Sequence, residues 1–306
     1  MYRCITPGAV ELYDREPQKH IEMIGRVCYK SEDKITDDSD KKFIANMHSR
    51  NHWAMLEHFR FIMEVSSTIY FDIMRVHSPY ITMTEEAVYD GGDSDVRYMI
   101  SASARGLMDA MAIVNAMDDS SIKDDMFIAL TLIIKHIVWH YGCVQMFGGE
   151  YTPCKNGNVT IIEREYLREW DYTSAEIMAH DWHSVKFTCD RGVTHELVRH
   201  RPASFAQEST RYCNYSLGKF NEAIGVIRPF EFKDGTEQFI IWEKCMHYLN
   251  EMYQQLIHAG ASPQWARSIL PQSTKADIVI TCPLSEWQHI INLRYIGTTG
   301  APIRKW

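Results

Sequence analysis

Apolar positions along the chain follow two different periods. Between Gln238 and Ala259, Phe239, Trp242, Met246, Leu249, Tyr253 and Leu256 recur at steps of three and four, the spacing of one helix face. Gly260 stands where such a helix stops, and Ser262-Pro263 follows as the cap and first-turn proline of another. The same spacing predicts helices over Glu16 to Tyr29, through Ile21, Ile24, Val27 and Cys28, and over Asp40 to His52. It also predicts a last helix over Leu284 to Tyr295. In the middle, Val96 to Met117 and Ile122 to Tyr141 are predicted as helices joined by the acidic turn Asp118-Asp119-Ser120-Ser121. Ser121 with Asp124 forms the start signal of the second. That helix is apolar nearly all round, as expected for a core or a subunit interface. Period-two alternation marks strands at Phe59 to Val65, Ser184 to Asp190 and Asp277 to Thr281. Gly148, Gly149, Pro153 and Gly157 mark loops. Strands and helices do not alternate regularly, so the predicted class is α+β, a mixed sheet packed with long helices, rather than a doubly wound sheet.

Composition narrows the function classes. With 306 residues, 45% of them hydrophobic and 24% charged, the chain is neither disordered nor collagen-like nor a coiled coil, and it can bury a large core. The net charge of −8 argues against a general nucleic-acid partner, so anionic ligands must be met by a few well-placed arginines. Eight cysteines include no CxxC pair, which argues against a zinc ribbon or a thioredoxin-type site. Met1 to Val10 lacks the basic-then-apolar pattern of a signal peptide, and the expected compartment is the cytoplasm. The longest apolar run, Met126 to Ile134, is far short of the ~20 residues a membrane span needs, so no membrane partner is expected.

One stretch concentrates chemistry: Arg199-His200-Arg201-Pro202-Ala203-Ser204-Phe205-Ala206-Gln207-Glu208-Ser209-Thr210-Arg211-Tyr212. Pro202 ends any helix at or before Arg201, which leaves the cations at a helix end and in the loop after it. Arginine forks pair bidentately with phosphates, and serine hydroxyls and loop amides complete such sites. The spacing alone is equally that of charges on a surface loop. Arg267, in Ala266-Arg267-Ser268-Ile269-Leu270-Pro271, and Arg294, in Asn292-Leu293-Arg294, are two further arginines in apolar surroundings. Each is open to the plainer reading of pairing with a carboxylate.

Taken together these segments resemble the flavin-dependent thymidylate synthases. Arg199-His200-Arg201 followed after seven residues by Ser209 has that family's signature spacing, and Ala203-Ser204, Arg211 and Tyr212 fall in place around it. His52 through Glu57-His58 to Phe61 is similar to the family's earlier segment and strand. Ala266 to Pro271 and Asn292-Leu293-Arg294 are similar to its later ones, in the same order. The resemblance covers roughly residues 12–65 and 184–296 of a single domain, 1–306. The stretch of about 66–183 reads as a helical insertion. Departures are Ala206-Gln207 where the family has Asn-Glu, Glu196 for a Gln, and Pro283, Ser285 and His289 for an Asn, an Arg and an Asn.

The resemblance implies reductive methylation of dUMP to dTMP. The carbon donor would be 5,10-methylenetetrahydrofolate and the reductant NADPH, acting through bound FAD. It also implies a homotetramer with each site built from several subunits. By the same resemblance Arg294 is the catalytic group, stabilising charge on the uracil without a cysteine nucleophile. Glu196, Arg199, Gln207, Glu208, Ser209, Arg211, Arg267 and Arg294 would bind dUMP. His58, Arg199, His200, Arg201, Gln207 and His289 would bind FAD, and no resident metal is expected. Two rival readings come from the residues alone. His48 with His52 and His136 with His140 stand four apart, as in a metal hydrolase, although outside an HExxH frame. The other is a binding module, either an inactive homologue or an RNA-binding protein that uses the arginine loop with Phe205, Tyr212 and Tyr215 as stacking rings.

Overall fold

The computed structural model describes residues 2–90, 93–148, 151–169 and 171–296. The strands are β1 (Arg3–Cys4), β2 (Gly8–Leu12), β3 (Phe61–Val65), β4 (Ile81–Asp90), β5 (Asp93–Ala102), β6 (Val159–Ile162), β7 (Trp182–Asp190), β8 (Ser204–Gln207), β9 (Gly225–Val226) and β10 (Lys275–Pro283). The helices are α1 (Pro17–Tyr29), α2 (Ser39–Ser49), α3 (Ser67–Met74), α4 (Ala104–Asn115), α5 (Ser121–Tyr141), α6 (Ser174–His180), α7 (Arg191–Leu197), α8 (Glu237–His258), α9 (Pro263–Ala266) and α10 (Leu284–Ile291). The architecture is α+β, as the irregular order of elements predicts. Both four-stranded sheets, β2-β7-β10-β8 and β4-β5-β3-β6, are antiparallel, and among the described residues parallel pairing is confined to the short β1–β9 ladder. No helix among the described residues is long and apolar enough to cross a membrane.

β10 is the strand around which the site is arranged. Lys275 pairs with Asp190 and Pro283 with Trp182 along β7, while Ile278 to Thr281 pair with Gln207 to Ser204 of β8. Its side chains alternate between two covered faces. Ile278, Ile280 and Cys282 join Leu197, Trp287 and Ile290 on one face. Val279 meets Ile24, Val27 and Cys28 of α1 on the other. A nearly continuous apolar run is what burial on both faces requires. The second sheet is likewise covered twice, with Phe61, Met63 and Ile100 against α3, α4 and α5, and Ile62, Met99 and Ile162 on the opposite side. Ile62 is therefore buried with its neighbours, and the simple alternation predicted from Phe59 to Val65 fails there.

Val96 to Met117 is not one helix. Residues 96–102 lie in β5, paired with β4 from Ile81↔Ala102 to Asp90↔Asp93, and the helix begins only at Ala104. Met99 and Ile100 enter different core clusters, a strand arrangement that a helical period imitates over so short a span. Gly91-Gly92 between the strands is the overlooked hairpin signal. α5 matches its prediction within one residue, with Ser120 rather than Ser121 as its cap. It buries Leu130, Ile133 and Ile137 but leaves Phe127, Ile128 and Trp139 exposed. The last helix stops at Ile291 and continues through one wider turn, Asn292–Ile296.

Three histidines are enclosed between these layers. His20 bonds Ser184 Oγ and His58 O, His58 bonds Thr281 Oγ1, and His180 bonds Ser101 and Thr84. Burial holds His20 and His180 at about 4 and His58 at about 3. The unfolded chain binds protons near pH 6.5 and the folded chain does not, so this stability is complete above pH 6.5 and falls as the pH drops toward 4. His180 contributes up to about 3 kcal/mol of that slope. Urea unfolding measured from pH 7 to 4 should show the loss, and His180→Gln should flatten it. A level wild-type profile over that window would contradict the buried neutral state.

Candidate active site

Three elements converge at one end of the central sheet. α1 ends at Tyr29, where Lys30 turns the chain in the left-handed conformation (φ 49°). β8 ends at Gln207 and runs into a turn in which the Tyr212 and Cys213 amides donate to Ser209 O at 3.1 and 2.9 Å. α7 begins at Arg191, capped by the Asp190 side chain accepting from the Val193 amide. Two backbone bonds tie the turn down: Ser209 N to Cys28 O at 2.9 Å and Glu208 N to Asp277 O at 2.8 Å.

The result is an open cavity of about 300 Å3 lined by Cys28, Tyr29, His52, Arg191, Gln207, Glu208, Ser209, Thr210, Arg211, Tyr212 and Arg267. Five of the predicted nucleotide-binding residues, Gln207, Glu208, Ser209, Arg211 and Arg267, are thus brought together. Arg191 joins them without having been singled out in the sequence. The signal available was its place at the first position of a helix, directly after a strand. Among the described residues no ion pair engages Arg191, Arg211 or Arg267. Arg267 Nε donates to Gln264 O at 3.1 Å, and the Arg211 guanidinium lies 5.5 Å from the Tyr212 ring centre. Gln207 is half-buried and donates from Nε2 to Thr194 Oγ1 at 3.0 Å.

Glu208 forms part of the cavity wall, but its carboxylate is committed to the interior. Lys275 Nζ bridges Glu208 Oε2 at 2.8 Å and Asp277 Oδ2 at 2.7 Å, and Lys30 pairs with Asp277 from the end of α1. Tyr215 donates to Glu208 Oε1, and Thr188 donates to Asp277 Oδ1. Burial pushes the Asp277 carboxyl up, but Lys275 and Lys30 outweigh it and hold it at about 2. The thiols nearest the cavity are of the opposite kind. Cys28 and Cys213 are both buried, and burial raises each to about 12, so both are neutral at physiological pH.

The remaining predicted residues occupy two other places. Arg294 lies on the wide turn after α10. Its Nη1 donates to Glu196 Oε2 at 2.7 Å, its Nη2 to Glu196 O at 3.2 Å, and its Nε to His200 Nε2 at 3.2 Å. His200 Nδ1 lies 3.2 Å from Glu286 Oε1, and the His289 ring stands edge-on to His200 with centroids 5.8 Å apart. Burial, then Arg294 and His289, lower His200 to about 4, while burial raises Glu286. α7 connects this group to the cavity, since Arg191 and Glu196 lie about 7–8 Å apart along its axis. Arg199 and Arg201 are exposed, and Arg201 donates to Val198 O and His200 O and covers the Phe205 ring. His58 belongs to neither group. It is 1% exposed and lines a water-sized void of about 30 Å3 with His20, Arg60 and Trp182, so it offers no surface to a ligand.

The histidine pairs of the metal reading are engaged locally. His48 bonds Met146 O, His136 accepts from the Asn156 amide, and His140 faces Glu163. Among the described residues, the one group of three or more such ligand atoms within 4.8 Å of one another is His200, Glu286 and His289. Both nitrogens of its His200 already have partners in Glu286 and Arg294.

Fold and site together define an α+β protein with an arginine-lined cavity. The family model for the thymidylate synthase complementing protein (Thy1) matches residues 10–120 and 155–305, and the chain belongs to that family. Residues 121–154, which include the whole of α5, lie outside the match. The flavin-dependent thymidylate synthase of Pyrococcus furiosus is 34% identical over 145 residues, 47% of this chain and 59% of that protein. That of Pyrococcus abyssi is 37% identical over 117 residues, covering 38% and 47%. The chain spans about half the length of the curated relatives it matches. A solved UMP/dUMP methylase, PolB from Streptomyces cacaoi bound with 5-Br dUMP, aligns at 23% identity and a TM-score of 0.32 over 43% of this chain and 61% of its own.

The buried charges behind the cavity give a stability prediction. Lys275→Met would leave Glu208 and Asp277 sharing only Lys30. It should cost about 3 kcal/mol or more in urea unfolding at pH 7. A loss below about 1 kcal/mol would show that these carboxylates are solvated.

Proposed function

We propose that the chain is a flavin-dependent thymidylate synthase that methylates dUMP to dTMP, with 5,10-methylenetetrahydrofolate as carbon donor and NADPH as reductant. The observation that carries this reading is the cavity itself. In an acidic protein of the thymidylate synthase complementing family, Arg191, Arg211 and Arg267 line one cavity with Ser209, and among the described residues no carboxylate is paired to them. Unpaired guanidiniums beside a hydroxyl suit the phosphate of a nucleotide.

The groove also suits FAD. Cys28, Tyr29 and His52 are shared with an adjoining hollow of about 320 Å3 lined by Trp53, Ala54, Met55 and Arg105. Flat apolar and aromatic walls next to cations match a flavin dinucleotide. When bound, FAD would supply the hydride chemistry, and this chain would orient it against the uracil. Arg294 is the group we assign to the ring. A guanidinium keeps its proton at any physiological pH and stabilises negative charge developing on the uracil carbonyls. The neutral thiols of Cys28 and Cys213 support a route without a cysteine nucleophile. Arg199, His200, Arg201 and His289 would border the flavin.

Arg294 does not line the cavity that holds Ser209 and Arg211 in one subunit. We therefore place them in one site only through assembly, as a homotetramer whose sites draw on several subunits. The insertion at about 66–183, of which residues 121–154 lie outside the family match, would be an addition to a single catalytic domain.

Tritium release from position 5 of labelled dUMP should require FAD and NADPH, with dTMP as product. Flavin-loaded protein that releases no tritium would refute the assignment. Arg294→Ala should keep FAD and lower turnover by about 10²–10³-fold, and near-wild-type turnover would remove Arg294 from the chemistry. Ser209→Ala should weaken dUMP binding about tenfold or more and leave FAD binding unchanged. Mixing these two variants and allowing subunits to exchange should restore activity. No recovery in verified mixed oligomers would place both residues in the same subunit's site.

A further inference from the structure

His200, Glu286 and Arg294 form a hydrogen-bonded chain whose direction is fixed by chemistry. Arginine has five N–H donors and no acceptor, so His200 Nε2, 3.2 Å from Arg294 Nε, must be the unprotonated nitrogen. A neutral imidazole carries one proton, and it is then on Nδ1, the nitrogen 3.2 Å from Glu286 Oε1. The carboxylate accepts it. His200 and Glu286 are 5% and 7% exposed, so water competes little for either bond. The low proton affinity of His200 agrees with a neutral ring.

We propose that Glu286 is a positioning residue: by accepting the Nδ1 proton of His200, it keeps Nε2 open as the acceptor that orients the Arg294 guanidinium. Without that carboxylate, the imidazole is free to take the other tautomer. An Nε2–H would then face the Arg294 Nε–H, two donors with nothing between them. Glu196 holds the other side of the guanidinium through one bond to each terminal nitrogen. Three of the five N–H groups are thus committed, and one on each terminal nitrogen remains for a ligand carbonyl. Orientation is what such a charge stabiliser needs, because its effect depends on facing the place where charge develops. The same arrangement explains why His200 is bordered by a glutamate at the first turn of α10 rather than by a neutral side chain.

The catalytic consequence rests on the assignment of Arg294 proposed above, whereas the tautomer does not, so the two are tested separately. The nitrogen spectrum of protein labelled with 15N-histidine, with His200 assigned through His200→Gln, should show a protonated Nδ1 and a bare Nε2 at pH 7. A protonated Nε2 in the wild-type protein would overturn the proposal, whatever the variants do. Glu286→Ala should lower kcat at least about tenfold, with the KM for dUMP and the FAD content little changed. Glu286→Gln, which retains a neutral acceptor, should recover part of the loss. Glu286→Ala with wild-type kcat would also overturn it. If Arg294→Ala were fully active while His200 still carried its proton on Nδ1, the assignment of Arg294 would fail and the role of Glu286 in turnover with it.

Discussion

The cavity depends on a buried pairing of two carboxylates with two ammonium groups. Glu208 and Asp277 are 3% and 4% exposed, where an isolated charge is prohibitive. Lys275 and Lys30 neutralise them, and Thr188 and Tyr215 satisfy the remaining oxygens. These groups come from β10, the end of α1, β7, and the turn and loop after β8. The pairing therefore does more than hold one side chain. It locks the end of the helix against the sheet and against the Ser209 turn, with the Ser209–Cys28 and Glu208–Asp277 backbone bonds alongside. The floor of the cavity is rigid because its charges are satisfied from behind.

α7 carries that rigidity to the second group. It starts with Arg191 in the cavity and leads at its other end to Glu196 and His200, which grip Arg294. Its apolar side, Val193 and Leu197, packs against the β10 and α10 residues Ile278, Ile280 and Ile290. A short helix is ordinarily marginal, and tertiary packing is what fixes this one. A shift of β10 would consequently move both groups of arginines together.

How much of this was legible in the sequence follows from the range of each interaction. α1, α5 and α8 repeat their apolar positions over three turns or more, and each was placed within about two residues. The β4–β5 hairpin was hidden because both its faces are covered in part, so Met99 and Ile100 are both buried and the alternation disappears. β8 was missed because four residues carry too little pattern. The arginine-rich stretch was visible, and so was its split between a helix end and a loop. What spacing could not tell was which acids in it are spent. Glu208 reads as a candidate ligand until Lys275 and Lys30, 67 and 178 residues away in the chain, are seen to claim it. Arg191 escaped for the converse reason, since only folding shows that it faces the cavity. Glu286 stood in a helix start, where an acidic residue is commonplace.

An acidic protein can bind anions if its carboxylates are occupied elsewhere. Among the ion pairs here, arginines outside the cavity take several of the buried or half-buried acids: Arg26 with Glu22, Arg97 with Glu176 and Arg168 with Asp181. Among the described residues the three cavity guanidiniums enter no ion pair, and Arg294 keeps two free N–H donors. The distinction matters physically because a paired arginine offers a ligand only an exchange of partners, while an unpaired one gives up water alone. Selectivity for an anion therefore comes from which cations were left without a partner, and net charge says little about it. The two kinds of arginine also suit different tasks. Guanidiniums outside any ion pair can close around a phosphate of variable approach, whereas Arg294, fixed on three sides, can only meet an acceptor presented to its one open edge.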